Sequence, residues 1–148
     1  IRGTILRGWA RSASGDTVKS LSWIEEGIED WRATGATLCV PFFLALKAEA
    51  LYLADRISEA LGVINEAKEL VERSEECWWS AELYRLCAVF LAALGAAPTV
   101  IEASFRESFR TAKRQQSAAL AKRAQTTYAE YRQKKASASG ERGFRLSL

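Results

Sequence analysis

The chain has 148 residues, 49% of them apolar and 26% charged, with a net charge of +3 and no histidine. That is one ordinary domain, long enough to bury about two-thirds of the surface its unfolded form exposes. Without histidine, Ser-His-Asp and Cys-His catalysis and imidazole-dependent zinc sites are excluded, and carboxylates, lysines and tyrosines remain as the only acid-base candidates.

The predicted elements are all helices. Ile5, Leu6, Trp9, Ala10 and Ala13 share one face of a short helix over Arg2 to Ala13, which Gly15 stops. A second helix, about Thr17 to Thr34, carries Val18, Leu21, Ile24, Ile28 and Trp31 and ends at Gly35. Asp16 or Thr17 is placed to cap it by accepting a hydrogen bond from a first-turn N–H. The third spans about Thr37 to Ala54, with Pro41 near the first turn, where a missing N–H costs least. The fourth runs from Ile57 to about Arg73. Its apolar residues Ile57, Ala60, Leu61, Ile64, Ala67 and Val71 make a continuous stripe that another element must cover. The fifth, about Glu76 to Leu94, holds Trp79, Leu83, Leu86, Phe90 and Leu94; the sixth starts at Pro98 or Thr99 and carries Ile101, Phe105, Phe109 and Ala112. The last, about Ser117 to Lys135, shows Leu120, Ala124, Tyr128 and Tyr131 on one face. Residues 136–148 open on the small, polar run Ala136 to Gly143 and read as a flexible tail, in which Phe144 to Leu146 could dock.

Laying the corners over one another reveals a repeat. Ser20, Ile24 and Gly27 follow the first corner; Ala60, Ile64 and Ala67 follow the second; Ile101, Phe105 and Ser108 follow the third. The offset from the first set to the second is the same for all three positions, and that from the second to the third is longer by a single residue. A small residue at the ends of this pattern lets neighbouring helices approach closely, and the apolar residue between them fills the core. Ile101 departs from the small type. This is tetratricopeptide logic with helices longer than the usual period of about 34 residues. The expected fold is an all-α, tetratricopeptide-like solenoid of antiparallel helix pairs over residues 1–135, about seven helices in all.

Cys39, Cys77 and Cys87 are odd in number and form no C-x-x-C pair, so they read as reduced thiols of a cytoplasmic protein. No apolar run reaches the 18 or so residues of a membrane span, and the start lacks a signal-peptide core. A chain that begins at Ile1 and contains no methionine is expected to be a segment of a longer protein. Charge is divided unevenly. Residues 1–100 hold 14 acidic and 10 basic side chains, residues 101–148 hold 4 acidic and 11 basic. The basic excess of the last third is the footprint a nucleic-acid-binding helix over Arg106 to Lys135 would leave, and equally that of a solvated helical face.

Among individual residues, Trp78 and Trp79 point about 100° apart on a helix, so one is expected buried and the other partly exposed. An exposed tryptophan on an inner helix is a candidate peptide anchor. Glu82 and Arg85 stand i, i+3 and are expected to pair, or to line a groove together with Glu49 and Arg32. Glu25, Glu26, Glu29 and Asp30 lie within two turns and read as a solvated face rather than catalytic carboxylates. No phosphate-cradling glycine loop, dinucleotide fingerprint or EF-hand loop is present, and no cofactor or metal is expected.

Several segments carry a resemblance: Trp31 to Ala36, Phe43 to Leu46 with Ala48 to Ala50, Glu59 to Leu61, Trp78 to Leu86, and Ala112 to Gln115. Over about residues 8 to 131 the chain resembles the C-terminal tetratricopeptide-like region of large bacterial signalling proteins, in which a nucleotide-cyclase or winged-helix regulator head is followed by a signal-transduction ATPase. Tyr84 stands where that family often has histidine, Cys87 near a common glycine, and the tail after Lys135 departs from its pattern. The resemblance implies a non-catalytic regulatory or scaffolding module whose partner is a protein, a peptide or another domain of its parent. Nucleic acid is the alternative partner. Self-association through a terminal helix is expected from the exposed ends of such an array.

Overall fold

A computed structural model describes residues 2–75 and 77–146, with side chains through residue 139. Seven helices follow in order: α1 (Arg2–Ala13), α2 (Thr17–Ala33), α3 (Val40–Leu53), α4 (Ile57–Arg73), α5 (Ser80–Ala93), α6 (Pro98–Arg114) and α7 (Ala118–Leu146). The all-α architecture read from the sequence is the one observed, and α1 and α4 have the bounds the apolar spacing predicts. Three differences stand out. α3 begins at Val40 rather than Thr37, because Leu38 and Cys39 form a turn in which Cys39 is left-handed (φ 66°). α5 begins at Ser80, again after a two-residue turn, at Trp78-Trp79; Glu76, where the sequence suggests a start, lies outside the described residues. α7 does not stop at Lys135 but continues as helix through Leu146, across the segment expected to be a flexible tail. The expected docking of Phe144 to Leu146 lies outside the described side chains.

α1, α3 and α5 end in the same device. Gly15, Asp55 and Gly95 take left-handed φ values of 102°, 61° and 72°, each one repeat after the last. The N–H groups of Asp16, Arg56 and Ala96 reach back to the carbonyls of Arg11, Leu51 and Leu91 at the same interval, the 6→1 bond that satisfies an otherwise orphaned helix-end carbonyl. The period is therefore constant at these corners. The longer offset of the third repeat comes from one extra residue, with Ala96 and Ala97 standing between Gly95 and Pro98 where Asp16 alone joins Gly15 to α2 and Arg56 alone joins Asp55 to α4. Asp16 precedes α2, but its side chain does not cap it; the carboxylate stands 3.9 Å from Arg11 Nε, and Ser20 donates its hydroxyl to the Asp16 carbonyl.

The repeat positions form the core. Ser20, Ala60 and Ile101, then Ile24, Ile64 and Phe105, then Gly27, Ala67 and Ser108 are all buried. A complementary small position, not singled out by the sequence reading, lies on the odd helices at Gly8, Ala48 and Ala88. A Cβ on Gly8 would stand 2.8 Å from Ile24 Cγ1 and 2.9 Å from the Ser20 carbonyl oxygen. In the third repeat the close approach is used by hydroxyls: Ser104 and Ser108 of α6 donate to the carbonyls of Tyr84 and Ala81 on α5, at 3.0 and 2.8 Å.

The odd helices pack on one another, α1 on α3, α3 on α5 and α5 on α7, while each even helix packs between its odd neighbours and not on another even helix. The side on which successive helices touch is the inner side of the array. One ion pair, Arg32 to Glu66 at 2.7 Å, links α2 to α4 across the outer side.

Two glycines in helices should respond oppositely to alanine. Gly8→Ala forces a Cβ into a backbone carbonyl and is expected to lower stability to urea by about 1–3 kcal/mol. Gly62, in α4 with nothing within 4 Å of a built Cβ, should gain about 0.5–1 kcal/mol as alanine. Urea melts of the two variants measure both.

Candidate functional site

The inner side carries the most heavily engaged polar group of the protein. Glu82 lies in the first turn of α5, 1% exposed. A carboxylate so buried must be fully paired. It accepts Arg85 Nε at 2.9 Å and Nη2 at 2.5 Å, a fork made possible by the i, i+3 spacing on one helix. Arg123 of α7 comes to Glu82 Oε1 at 2.9 Å, and Arg85 Nη1 donates to Thr127 Oγ1 of α7 at 3.1 Å. The pair predicted within α5 is thus the seat of another helix. Apolar packing continues the joint: Tyr128 and Tyr131 of α7 lie 5.2 and 5.7 Å, ring to ring, from Phe105 of α6.

Beside this cluster α5, α6 and α7, with Tyr52 of α3, line a groove of about 690 Å³. Tyr52 and Val89 form one wall, Thr127, Tyr131 and Lys134 the other, and the part-buried Arg85 contributes to its lining. An aromatic ring at each side, an aliphatic surface and fixed polar groups between them suit a peptide side chain better than a reacting centre.

The remaining sequence candidates lie elsewhere. Glu49, also on the inner side, accepts the indole N–H of Trp9 at 2.7 Å and ties α3 to α1. Arg32 belongs to the outer side, on Glu66. Trp78 and Trp79 stand in the turn before α5 rather than on the helix and pack on Phe42 of α3, ring centroids 5.7 and 5.1 Å apart; Trp78 is 47% exposed and Trp79 half-buried, so neither is the buried tryptophan expected of the pair. So only Glu82 and Arg85 act together, and Arg32, Glu49 and the two tryptophans do not join them in one groove. Of the four clustered acids, Glu25 pairs with Lys47 of α3 at 3.0 Å, and Glu26, Glu29 and Asp30 are exposed. Tyr84 lies 5.1 Å below the Lys68 ammonium, and burial, helped by Glu107 and Glu72, pushes its phenol above the ordinary range. It is a neutral packing group at physiological pH.

Arg123 and Thr127 are the members of the cluster that the sequence reading missed. Nothing local marks them, since both sit on the expected solvated face of a basic helix far along the chain from Glu82. Among the described residues no group of three or more potential ligands is arranged to hold a metal, and no helix is long and apolar enough to cross a membrane.

Comparison with known proteins adds one relative. No family model matches the chain, and no solved structure matches it. It is similar to an uncharacterized protein of Rhizobium meliloti (strain 1021), 29% identical over 126 residues, which is 85% of this chain and 12% of that protein. The chain spans about an eighth of the length of the curated relative it matches.

The two arginines on Glu82 should differ sharply in cost. Glu82→Ala strands the part-buried Arg85 guanidinium and is expected to destabilise by about 3 kcal/mol. Arg123→Ala removes a side chain 54% exposed, and the neutral Glu82–Arg85 pair survives it, so the loss should stay below about 1 kcal/mol. Denaturant unfolding of the two variants separates them.

Proposed function

We propose that the chain is a non-catalytic helical-repeat module of a larger bacterial signalling protein, one that holds a protein segment, from a partner or from its own parent, against the inner side of the array. The observation that carries this reading is the groove lined by α5, α6 and α7, to which Tyr52, Val89, Tyr131 and Lys134 contribute and which the locked Glu82–Arg85 pair borders. Pre-ordered walls lower the entropy cost of capturing an extended or helical segment. The constant register of the corners supports a repeat scaffold, and the far greater length of the rhizobial relative supports a module within a longer chain. The resemblance to cyclase and ATPase parents supports the signalling setting.

The test uses the chain as bait in lysate of its source, beside an Ala93→Asp, Lys134→Glu variant whose changes fall at exposed positions that line the groove. Circular dichroism of both verifies folding. A protein retained by the first and lost by the second is the expected result. Retention of nucleic acid alone, released at moderate salt, would instead favour the basic face of α7 as a nucleic-acid surface.

A further inference from the structure

The protein displays one surface in covered and uncovered versions. On α3 and α5 certain register positions meet the helix pair before them. Lys47 of α3 reaches Glu25 of α2 at 3.0 Å, Tyr84 of α5 lies beneath Lys68 of α4 at 5.1 Å, and Phe90 of α5 stacks on Tyr52 of α3 at 5.3 Å. Counted back by whole repeats, the same positions on α1 are Arg7, Thr4 and Ala10. With Arg11 and Trp23 they line an open groove of about 540 Å³. Leu6 tells the same story. Its equivalents Leu46 and Leu86 are 6% and 4% exposed, whereas Leu6 is 46% exposed.

We infer that this open face of α1 docks an acidic amphipathic helix, lying as α2 lies on α3, with a carboxylate at the register position of Glu25 to pair with Arg7. Two features commit the face to that partner. Arg7 keeps the cation that Lys47 uses against an acidic helix, and Arg11 beside it adds a second positive charge, partly turned to the Trp23 ring at 4.9 Å. The helix seated on α3 is itself acidic, with Glu25, Glu26, Glu29 and Asp30 against Lys19 and Arg32. A second copy stacked head to tail fits poorly, because α6, the last even helix, presents Arg106 at the Glu25 position, charge against charge with Arg7. This inference concerns α1 alone, so its failure would leave the reading of the α5–α6–α7 groove standing.

The probe is a fluorescein-labelled synthetic peptide with the sequence of residues 17–34, stapled between positions 22 and 26 on its outward face to hold the helix. Saturable anisotropy should appear, with amide shifts in the isotopically labelled protein centred on α1. Arg7→Glu should weaken binding by about tenfold, and a peptide carrying lysine at the Glu25 position should restore it to that variant. Leu6→Ser should weaken it as well. Arg7 and Leu6 are exposed, so both variants keep the fold. The inference is overturned by no saturable binding up to about 1 mM peptide, by binding that Arg7→Glu leaves unchanged, or by shifts centred on α3. Sedimentation showing the protein already self-associated through this face, and dissociated by Arg7→Glu without peptide, overturns it in favour of a second copy.

Discussion

How closely two helices approach depends on the size of the side chains between them, and this constraint governs the array. Gly8, Ala48 and Ala88 on the odd helices face a second set of small or hydroxyl residues on the even ones, and Ile24, Ile64 and Phe105 fill the spaces between them. At Gly8 even a methyl group has no room. Where the third repeat brings α6 against α5, the approach is close enough for Ser104 and Ser108 to reach the neighbouring backbone. Such bonds satisfy buried hydroxyls while holding the helices in register.

On that common frame the joints between repeats differ in chemistry. Phe42 and Glu82 occupy the same register position on α3 and α5. Phe42 is covered by Trp78 and Trp79, an aromatic joint held by burial. Glu82 is covered by Arg123 of α7, a joint held by charge. Because Arg85 neutralises Glu82 from within α5, the α7 joint strands no buried charge when Arg123 turns to water. The last helix is thus seated both by a salt-dependent charged contact and by the packing of Tyr128 and Tyr131 on Phe105, next to the proposed groove.

The variation along the even helices follows the same logic. Their outward faces bear charged residues, and two ion pairs, Glu25 with Lys47 of α3 and Arg32 with Glu66, tie the first repeat to the second without demanding a tight fit. Exposed pairs of this kind add little to stability.

The sequence by itself determined the all-α fold, the helix-pair repeat, and the burial of Ser20, Ile24, Ala60, Ile64, Ala67 and Phe105, because helical periodicity and glycine stops are local properties that survive in a linear string. The turns before α3 and α5 escaped it, since Leu38-Cys39 and Trp78-Trp79 have no punctuating glycine or proline and the left-handed Cys39 is held by its surroundings. Only the tertiary structure decided that Glu82 and Arg85 seat α7, that Arg32 and Glu49 lie in separate parts of the array, and that Arg123 and Thr127 complete the cluster. Those assignments depend on which faces meet when helices distant in the chain come together. That is set by the crossing of packed helices and leaves no mark in the spacing of residues along one of them.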